Sequence, residues 1–250
     1  MRNVLKKICR KLRRIKQKKC CICGARFDEY LWCGNDSKVW QGGGAVGAGQ
    51  RKACCPNCGK SDRDRLVYLF FKKTYLPHLN GKKIKLLHIA PEPHLTSLFK
   101  TYPEIDYTAG DKRCEGYCYP DYVKNIDVMD LSNIPDNTYD VIVCNHVLEH
   151  VENDIIAMRQ IHRVLKTGGF AILQVPMLLD LEKTFENPSI KTPEERFATY
   201  GQSDHVRLYG IDYPDRLKKN GFHVETNTLF KERSKRYGLN PNEMLFICNK

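Results

Sequence analysis

The sequence lacks any apolar run long enough to cross a membrane. A transmembrane helix needs about 20 consecutive apolar residues, and the longest run, around Phe170–Leu179, is interrupted by Gln174 and Pro176. No apolar segment follows the basic amino terminus, as a secretory signal peptide would require. We therefore expect a cytoplasmic protein, with a peripheral position at the inner membrane as the open alternative.

Acidic residues are absent from the first 19 residues, which contain ten lysines and arginines. The formal net charge of the 250-residue chain is +12, yet residues 20–250 carry 31 basic and 29 acidic groups. The charge therefore belongs to an amino-terminal arm, residues 1–19, and not to the body of the protein. A body this close to neutral argues against a domain that coats nucleic acid.

Apolar residues recur mostly three or four positions apart within this arm; they are Val4, Leu5, Ile8, Leu12 and Ile15. This spacing, with cations around it, is typical of an amphipathic helix that binds a membrane surface or another polyanion. A solvated, partly disordered tail fits the same composition. Both interpretations of the arm stay open at this point.

The chain has twelve cysteines, although disulfides are rare in a reducing cytosol. Two Cys-x-x-Cys pairs, Cys20/Cys23 and Cys55/Cys58, are each followed by a glycine that permits a tight turn. Such pairs supply the four thiolates of a structural zinc site. We predict a zinc-ribbon-like module over residues 20–60, with these four cysteines as the ligands of one zinc ion.

Two features of this module leave alternatives open. The segment between the pairs, residues 24–54, exceeds the about 15–20 residues of the short zinc pattern. Cys21, Cys33 and Cys54 compete as ligands, and surface thiols or a redox pair are the other interpretation.

The glycine-rich stretch Gly42–Gly47 matches a dinucleotide-binding pattern but lacks the flanking strand and helix, so we expect a flexible linker there.

Beyond residue 60, short apolar strand-like runs alternate with helix-like segments. The predicted strands are Ile84–Ala90, Ile105–Gly110, Val123–Val128, Tyr139–Asn145, Phe170–Pro176, Phe222–Asn227 and Met244–Asn249. The segment Asn153–Lys166 begins with a good helix cap and has one apolar face. Alternating strands and helices predict an α/β fold with a mostly parallel seven-stranded sheet, helices on both faces and an antiparallel edge strand. Ligands of such sheets bind at the carboxyl ends of the strands.

At those ends the chain resembles the class I S-adenosylmethionine-dependent methyltransferases of the bacterial small-molecule and glycan type. The resemblance is clearest in IPDNTYDVIVCNHVLEHVEND, residues 134–154, and IHRVLKTGGFAILQVP, residues 161–176. It covers residues 84–249 and implies a Rossmann-like doubly wound fold with S-adenosylmethionine as the cofactor. By position, it implies a cofactor site formed by Ala90 and Glu92 at the methionine end, Asp111 at the ribose, Asp127 and Val128 at the adenine, and Asn145.

The first loop departs from the pattern of that family. Where an acidic residue and glycines are usual, this chain has His88, Ala90, Glu92 and His94. Ala90 is small enough to keep one close approach of the backbone, and we hypothesise that Glu92 replaces the missing acid at the cofactor's amino group. A fold that no longer binds the cofactor is the alternative.

On the acceptor side, residues 197–210 form a polar stretch within an insertion that we place at about 177–210 of a methyltransferase domain, residues 61–250. We predict His205 as the catalytic base, with Asp204 orienting it and Arg207 holding an anionic acceptor group. A structural pair of Asp204 and Arg207 is equally compatible with the sequence. We find no convincing acidic partner for a metal at His146 and His150, and expect His150 to be a packing or hydrogen-bonding residue.

Three functions are compatible with these residues and motifs. The leading one is methyl transfer to a small-molecule or glycan acceptor. The second is a nucleic-acid methyltransferase that grips RNA with the cysteine module and the arm; it lacks the Asn-Pro-Pro-Tyr or Asp-Pro-Pro-Tyr motif of enzymes that methylate base amino groups. The third is a non-catalytic binding module on the same fold.

Overall fold

The structure is a computed structural model of the 250-residue chain. It describes residues 2–4, 6, 18–42, 44–114, 116–227 and 234–250. Most of the amphipathic arm predicted for residues 1–19 lies outside the described residues. Among those that are described, no helix is both long enough and apolar enough to span a membrane.

Short strands dominate the cysteine module. They are β1 (Lys18–Lys19), β2 (Arg26–Phe27), β3 (Leu31–Cys33), β4 (Ala45–Val46) and β5 (Arg51–Cys54), with a 3-10 turn at Lys38–Trp40. β1 pairs with β2 and β3 pairs with β5, both antiparallel. The module leads directly into helix α1 (Asp62–Leu69), which begins with a capping box between Ser61 and Asp64.

The rest of the chain builds one sheet with helices on both faces. Its strands are β6 (Ile84–Ile89), β7 (Ile105–Asp111), β8 (Val123–Asn125), β9 (Tyr139–Asn145), β10 (Leu165–Gln174), β12 (His223–Asn227) and β13 (Leu245–Asn249). The order across the sheet is β12-β13-β10-β9-β6-β7-β8. Only β13 runs antiparallel to its neighbours, next to the edge strand β12. The predicted fold class is confirmed.

Helices and short segments complete the domain. They are α2 (Pro93–Phe99), α3 (Asp154–Val164), the strand β11 (Met177–Leu178), α4 (Pro193–Tyr200), α5 (Tyr213–Lys218) and α6 (Ser234–Tyr237). As predicted, Asn153 caps α3, and its side chain accepts a hydrogen bond from the Ile156 backbone at 3.1 Å. The helix ends at Val164, two residues before the predicted end, because β10 starts at Leu165 and reaches back beyond Phe170.

Alternating residues of the central strands face two separate cores. Leu87, Ile142 and Leu173 pack on one side of the sheet, in the cluster that includes residues of α3 and α5. Their sequence neighbours Leu86, Val141 and Ile172 pack on the other side, with α1 and α2. Because helices cover both faces of the sheet, its central strands are near-continuous apolar runs and do not alternate polar with apolar residues.

The cysteine module is packed against the sheet domain. Strand β4 pairs with β11 through Val46 and Met177, and the Leu179 backbone donates to the carbonyl of Gly44 at 2.8 Å. The flexible linker predicted for Gly42–Gly47 is therefore wrong over its described residues. Its glycines allow the backbone to lie close to the end of the sheet. The sequence pattern of this stretch does not reveal that contact.

Arg65 provides the second connection. Its side chain is fully buried, and it donates hydrogen bonds to the backbone carbonyls of Ala53, Lys60, Tyr237 and Gly238. The guanidinium also lies 4.4 Å from the ring centroid of Tyr30, a cation–π contact. One side chain thus joins the module, helix α1 and the segment before β13.

We expect Arg65→Leu to lower the free energy of unfolding by about 3 kcal/mol or more, because it leaves several buried carbonyls without a donor. Chemical denaturation measures the change. Arg113→Leu is the control, since Arg113 is exposed and its loss should cost no more than about 0.5 kcal/mol. Equal stability of the two variants would contradict the role of Arg65.

Candidate functional site

The four sulfur atoms of Cys20, Cys23, Cys55 and Cys58 converge within 4.8 Å of one another. The Sγ atoms of Cys20 and Cys58 are 3.8 Å apart, and those of Cys23 and Cys55 are 3.7 Å apart. A zinc–sulfur bond of about 2.3 Å in a tetrahedron gives sulfur separations of about 3.8 Å. This four-cysteine cluster therefore fits a zinc site.

Two matching turns present these thiols. The backbone of Gly24 donates to the carbonyl of Cys20 at 3.0 Å, and that of Gly59 donates to the carbonyl of Cys55 at 2.9 Å. Both glycines have a positive φ, +74° and +69°, where a side chain would be strained. The competing thiols lie elsewhere: Cys33 contacts the Arg51 carbonyl, for example.

We expect Cys55→Ala to remove one zinc ion per chain and to destabilise the module, because three thiolates do not complete the tetrahedral coordination of zinc. Elemental analysis of chelator-free protein and thermal unfolding measure the two effects. Cys114→Ala is the matched control, since Cys114 is exposed and lies outside the cluster. Zinc content that is the same in both variants would refute the assignment.

The first loop, after β6, is held by a chain of polar contacts. Glu92 Oε2 lies 2.5 Å from His88 Nε2, and Asn145 Nδ2 donates to Glu92 Oε1 at 3.0 Å. Burial alone would raise the pKa of Glu92, but these hydrogen bonds outweigh it and hold the pKa below its usual range. His88, at the position of the missing acid, is fully buried and orients this carboxylate.

Ala90 and His146 have left-handed backbones at the ends of two neighbouring strands. Their φ angles are +49° and +54°. Residues other than glycine adopt this backbone conformation rarely, and those that do cluster at functional sites. Both residues line a cavity of about 200 Å³ together with Glu92 and Asn145. Among the described residues, Asn145 Oδ1 is buried without a hydrogen-bond partner, so a polar ligand group fits here.

The acids of the second and third strand ends lie further along the same edge of the sheet. Asp111 ends β7, and burial raises its pKa. Asp127 lies in a separate cavity of about 420 Å³, paired at 2.8 Å with Lys112. Val128 is buried in the core.

A second cavity, of about 340 Å³, lies between the cysteine module and the sheet domain. On the module side it is lined by Trp40, Gly47 and Arg51, and the start of α1 contributes Arg63 and Asp64. On the sheet side it is lined by His146, Glu149, His150 and His205. Arg63, Asp64 and His146 also line the smaller cavity beside Ala90. The two cavities are therefore neighbours.

Glu149 is the residue of this cavity that sequence reasoning missed. It is 1% exposed, its Oε2 has no hydrogen-bond partner among the described residues, and burial raises its pKa to about 8. His150 and His205 each place a ring nitrogen near it, and the three donor atoms lie within 4.8 Å of one another. The only sequence signal was the Glu149-His150 dipeptide; His205 is distant along the chain.

Of the two predicted catalytic residues, His205 belongs to this cluster and Asp204 lies beside it. His205 is 3% exposed, and burial lowers its pKa to about 4, with repulsion from His150 adding to the shift. Asp204 is exposed and contacts His150, not His205: its Oδ2 lies 3.1 Å from His150 Nδ1. The expectation that Asp204 orients His205 is thus not what the structure shows, whereas the contact of His150 with Asp204 fits the hydrogen-bonding role expected for His150.

Arg207 is structural. It is 2% exposed and lies between Glu186 and Asp154, with Nε 3.0 Å from Glu186 Oε2. It also donates to the carbonyls of Leu148, Val151 and Glu152. The predicted contact with an acceptor and the predicted pair with Asp204 are both wrong, because burial commits this guanidinium to the turn that carries Glu149.

Another cavity, of about 510 Å³, lies on the other side of this turn. Arg216 in its wall pairs with Asp154 at 2.6 Å and with Glu186 at 3.0 Å. It shares no lining residue with the cavities beside Ala90 and Glu149. We therefore place the candidate site in the two smaller cavities.

Residues 94–173 match the family model of a methyltransferase domain. This segment, about a third of the chain, runs from α2 to the last residues of β10 and contains Asp111, Asp127, Val128 and Asn145. Ala90 and Glu92 lie outside it. This match confirms the prediction of a methyltransferase.

Solved structures with a similar chain path include several methyltransferases. One is a chain in the complex between the Haloferax volcanii Trm112 methyltransferase activator and a methyltransferase. It is 14% identical, the match covers 74% of this chain and 90% of that one, and the TM-score is 0.48. Another is a SAM-dependent methyltransferase from Archaeoglobus fulgidus, 17% identical, covering 74% and 93%, with a TM-score of 0.46. We draw no functional conclusion from likenesses this distant. No curated protein matches the sequence.

Proposed function

We propose that this chain transfers a methyl group from S-adenosylmethionine to a small-molecule or glycan acceptor bound in the cavity between the cysteine module and the sheet. The observation that carries the proposal is the adjacency of two cavities at the carboxyl ends of the strands. One is lined by Ala90, Glu92 and Asn145, and the other by the Glu149 cluster. A donor and an acceptor placed in them would meet at His146.

The residues available to the cofactor fit its chemistry. The Glu92 carboxylate suits the cationic amino group of the methionine end, and the unpartnered Asn145 Oδ1 is a further acceptor. Asp111 suits the ribose hydroxyls, as an acid after the second strand does in related sheets, and Asp127 with the backbone of Val128 suits the adenine. When bound, S-adenosylmethionine supplies an electrophilic methyl group.

The acceptor cavity favours a small polar molecule. Its volume of about 340 Å³ is at the lower end of the range of small-molecule sites. Walls from two parts of the chain enclose it, whereas a duplex nucleic acid needs a long basic surface. Arg63 reaches it with its guanidinium held by the carbonyl of Gly47 at 3.1 Å, which suits an acceptor carrying a carboxylate or phosphate.

The basic arm supports a contact with an anionic surface, and a lipid-linked glycan would be presented at such a surface. We therefore keep the peripheral position at the inner membrane as part of the proposal. The zinc ion proposed for the four-cysteine cluster has a structural role here. It stabilises the module that forms one wall of the cavity.

We expect Asp111→Asn to weaken the binding of S-adenosylmethionine by about 10-fold or more, because hydrogen bonds to a charged acceptor contribute about 1.5–3 kcal/mol. Isothermal titration calorimetry measures the affinity. Asp106→Asn is the matched control on the same strand: Asp106 is exposed at the opposite end of β7 and should bind normally. No cofactor binding to the unmodified, zinc-loaded protein would favour the non-catalytic module.

The acceptor class is tested by labelling. The protein, supplied with S-adenosylmethionine carrying a radioactive methyl group, is incubated with an extract that is then separated into small-molecule, lipid-linked glycan, RNA and protein fractions. We expect label in the first two fractions, because the acceptor cavity is small and enclosed. Label that appears in RNA and falls steeply with added salt would support the nucleic-acid alternative instead.

A further inference from the structure

Glu149 is buried in the acceptor cavity and, among the described residues, forms no ion pair with a lysine or an arginine. Within 4.0 Å and among the described residues, its charged or chargeable neighbours are the imidazoles of His146, at 3.4 Å, and His150, at 4.0 Å. Neither cavity arginine pairs with Glu149: Arg51 forms a bidentate pair with Asp62, and Arg63 donates to the carbonyl of Gly47. A buried carboxylate is costly unless it is paired or binds a metal.

The two histidines of the cluster present ring nitrogens to Glu149. His150 Nδ1 lies 3.1 Å from the carboxylate of Asp204, and His150 Nε2 lies 4.0 Å from Glu149 Oε1. A carboxylate that accepts the Nδ1–H bond leaves the Nε2 lone pair free for a metal, the arrangement that orients most metal-binding histidines. Nδ1 of His205 is buried and, within the described ranges, has no hydrogen-bond partner.

We propose that Glu149, His150 and His205 bind a divalent first-row transition-metal ion in the acceptor cavity, separate from the four-cysteine cluster. Two imidazoles and one carboxylate form a donor set that suits zinc and related ions. The three donor atoms, within 4.8 Å of one another, need only small side-chain shifts to reach bonding distance. The ion neutralises Glu149 and uses the free lone pairs.

The position of the ion gives it a use that rests on the proposed function. Three protein ligands would leave coordination positions open, as in catalytic metal sites, and all three ligands line the same cavity as His146. An oxygen of the acceptor bound there would be oriented toward the cofactor's cavity. In this arrangement His205 is a metal ligand and not the free base that the sequence suggests, and Asp204 is a positioning residue.

The test counts zinc ions. Wild-type protein, Glu149→Gln and His205→Ala are loaded with excess Zn²⁺, passed over a desalting column and analysed for zinc per chain. We expect the wild type to retain one more zinc ion than either variant, because each variant lacks a ligand while its four-cysteine cluster is unchanged. His78→Ala is the control, since His78 is exposed on a distant turn, and it should match the wild type.

A second variant covers the case in which removal of a buried group unfolds the protein. Asp204 is exposed, with 62% of its side-chain surface accessible, so Asp204→Asn should fold normally. We expect it to weaken zinc binding at this site by about 10- to 100-fold in competition with a chromophoric chelator, the usual effect of losing the partner of a metal-binding histidine.

Equal zinc content in the wild type and in folded Glu149→Gln and His205→Ala overturns the proposal, as does unchanged zinc affinity in Asp204→Asn. These measurements need neither cofactor nor acceptor. A protein that binds the extra zinc but transfers no methyl group would therefore contradict the proposed function and leave the metal site standing. Methyl transfer by a protein that does not bind the extra zinc would contradict the metal site and leave the proposed function standing.

Discussion

The candidate site depends on the contact between the cysteine module and the carboxyl ends of the parallel strands. The pairing of β4 with β11 brings Gly47 over His146, and the buried Arg65 holds the module against the segment before β13. Without this contact the strand ends would open to solvent, and the acceptor cavity would lose one wall. The four-cysteine cluster belongs to the module that forms this wall.

Parallel strands explain how residues far apart in sequence come to act together. Because β6 and β9 are hydrogen-bonded neighbours that run in the same direction, their carboxyl ends place Glu92 next to Asn145. The hydrogen bond between these two side chains connects the unusual first loop to the fourth strand. This connection is how a loop without glycines keeps an acid at the methionine end of the proposed cofactor site.

The buried charged residues divide into two groups. Arg65 and Arg207 are surrounded by carbonyls or carboxylates that accept their hydrogen bonds, so they stabilise the fold and its turns. Glu149 is buried just as deeply, yet one of its oxygens lacks a partner among the described residues. A buried carboxylate oxygen that lacks a partner and lines a cavity indicates the position of a ligand.

The sequence by itself determined the α/β class, the strand order along the chain, the capped helix α3 and the pairing of cysteines into two turns. These features depend on local periodicity, capping and spacing, which are properties of neighbouring residues. Only the tertiary structure decided that Gly42–Gly47 contributes a strand, that Arg207 is structural and that Glu149 meets His205. Each depends on packing between segments tens of residues apart, and local sequence patterns carry no information about such contacts.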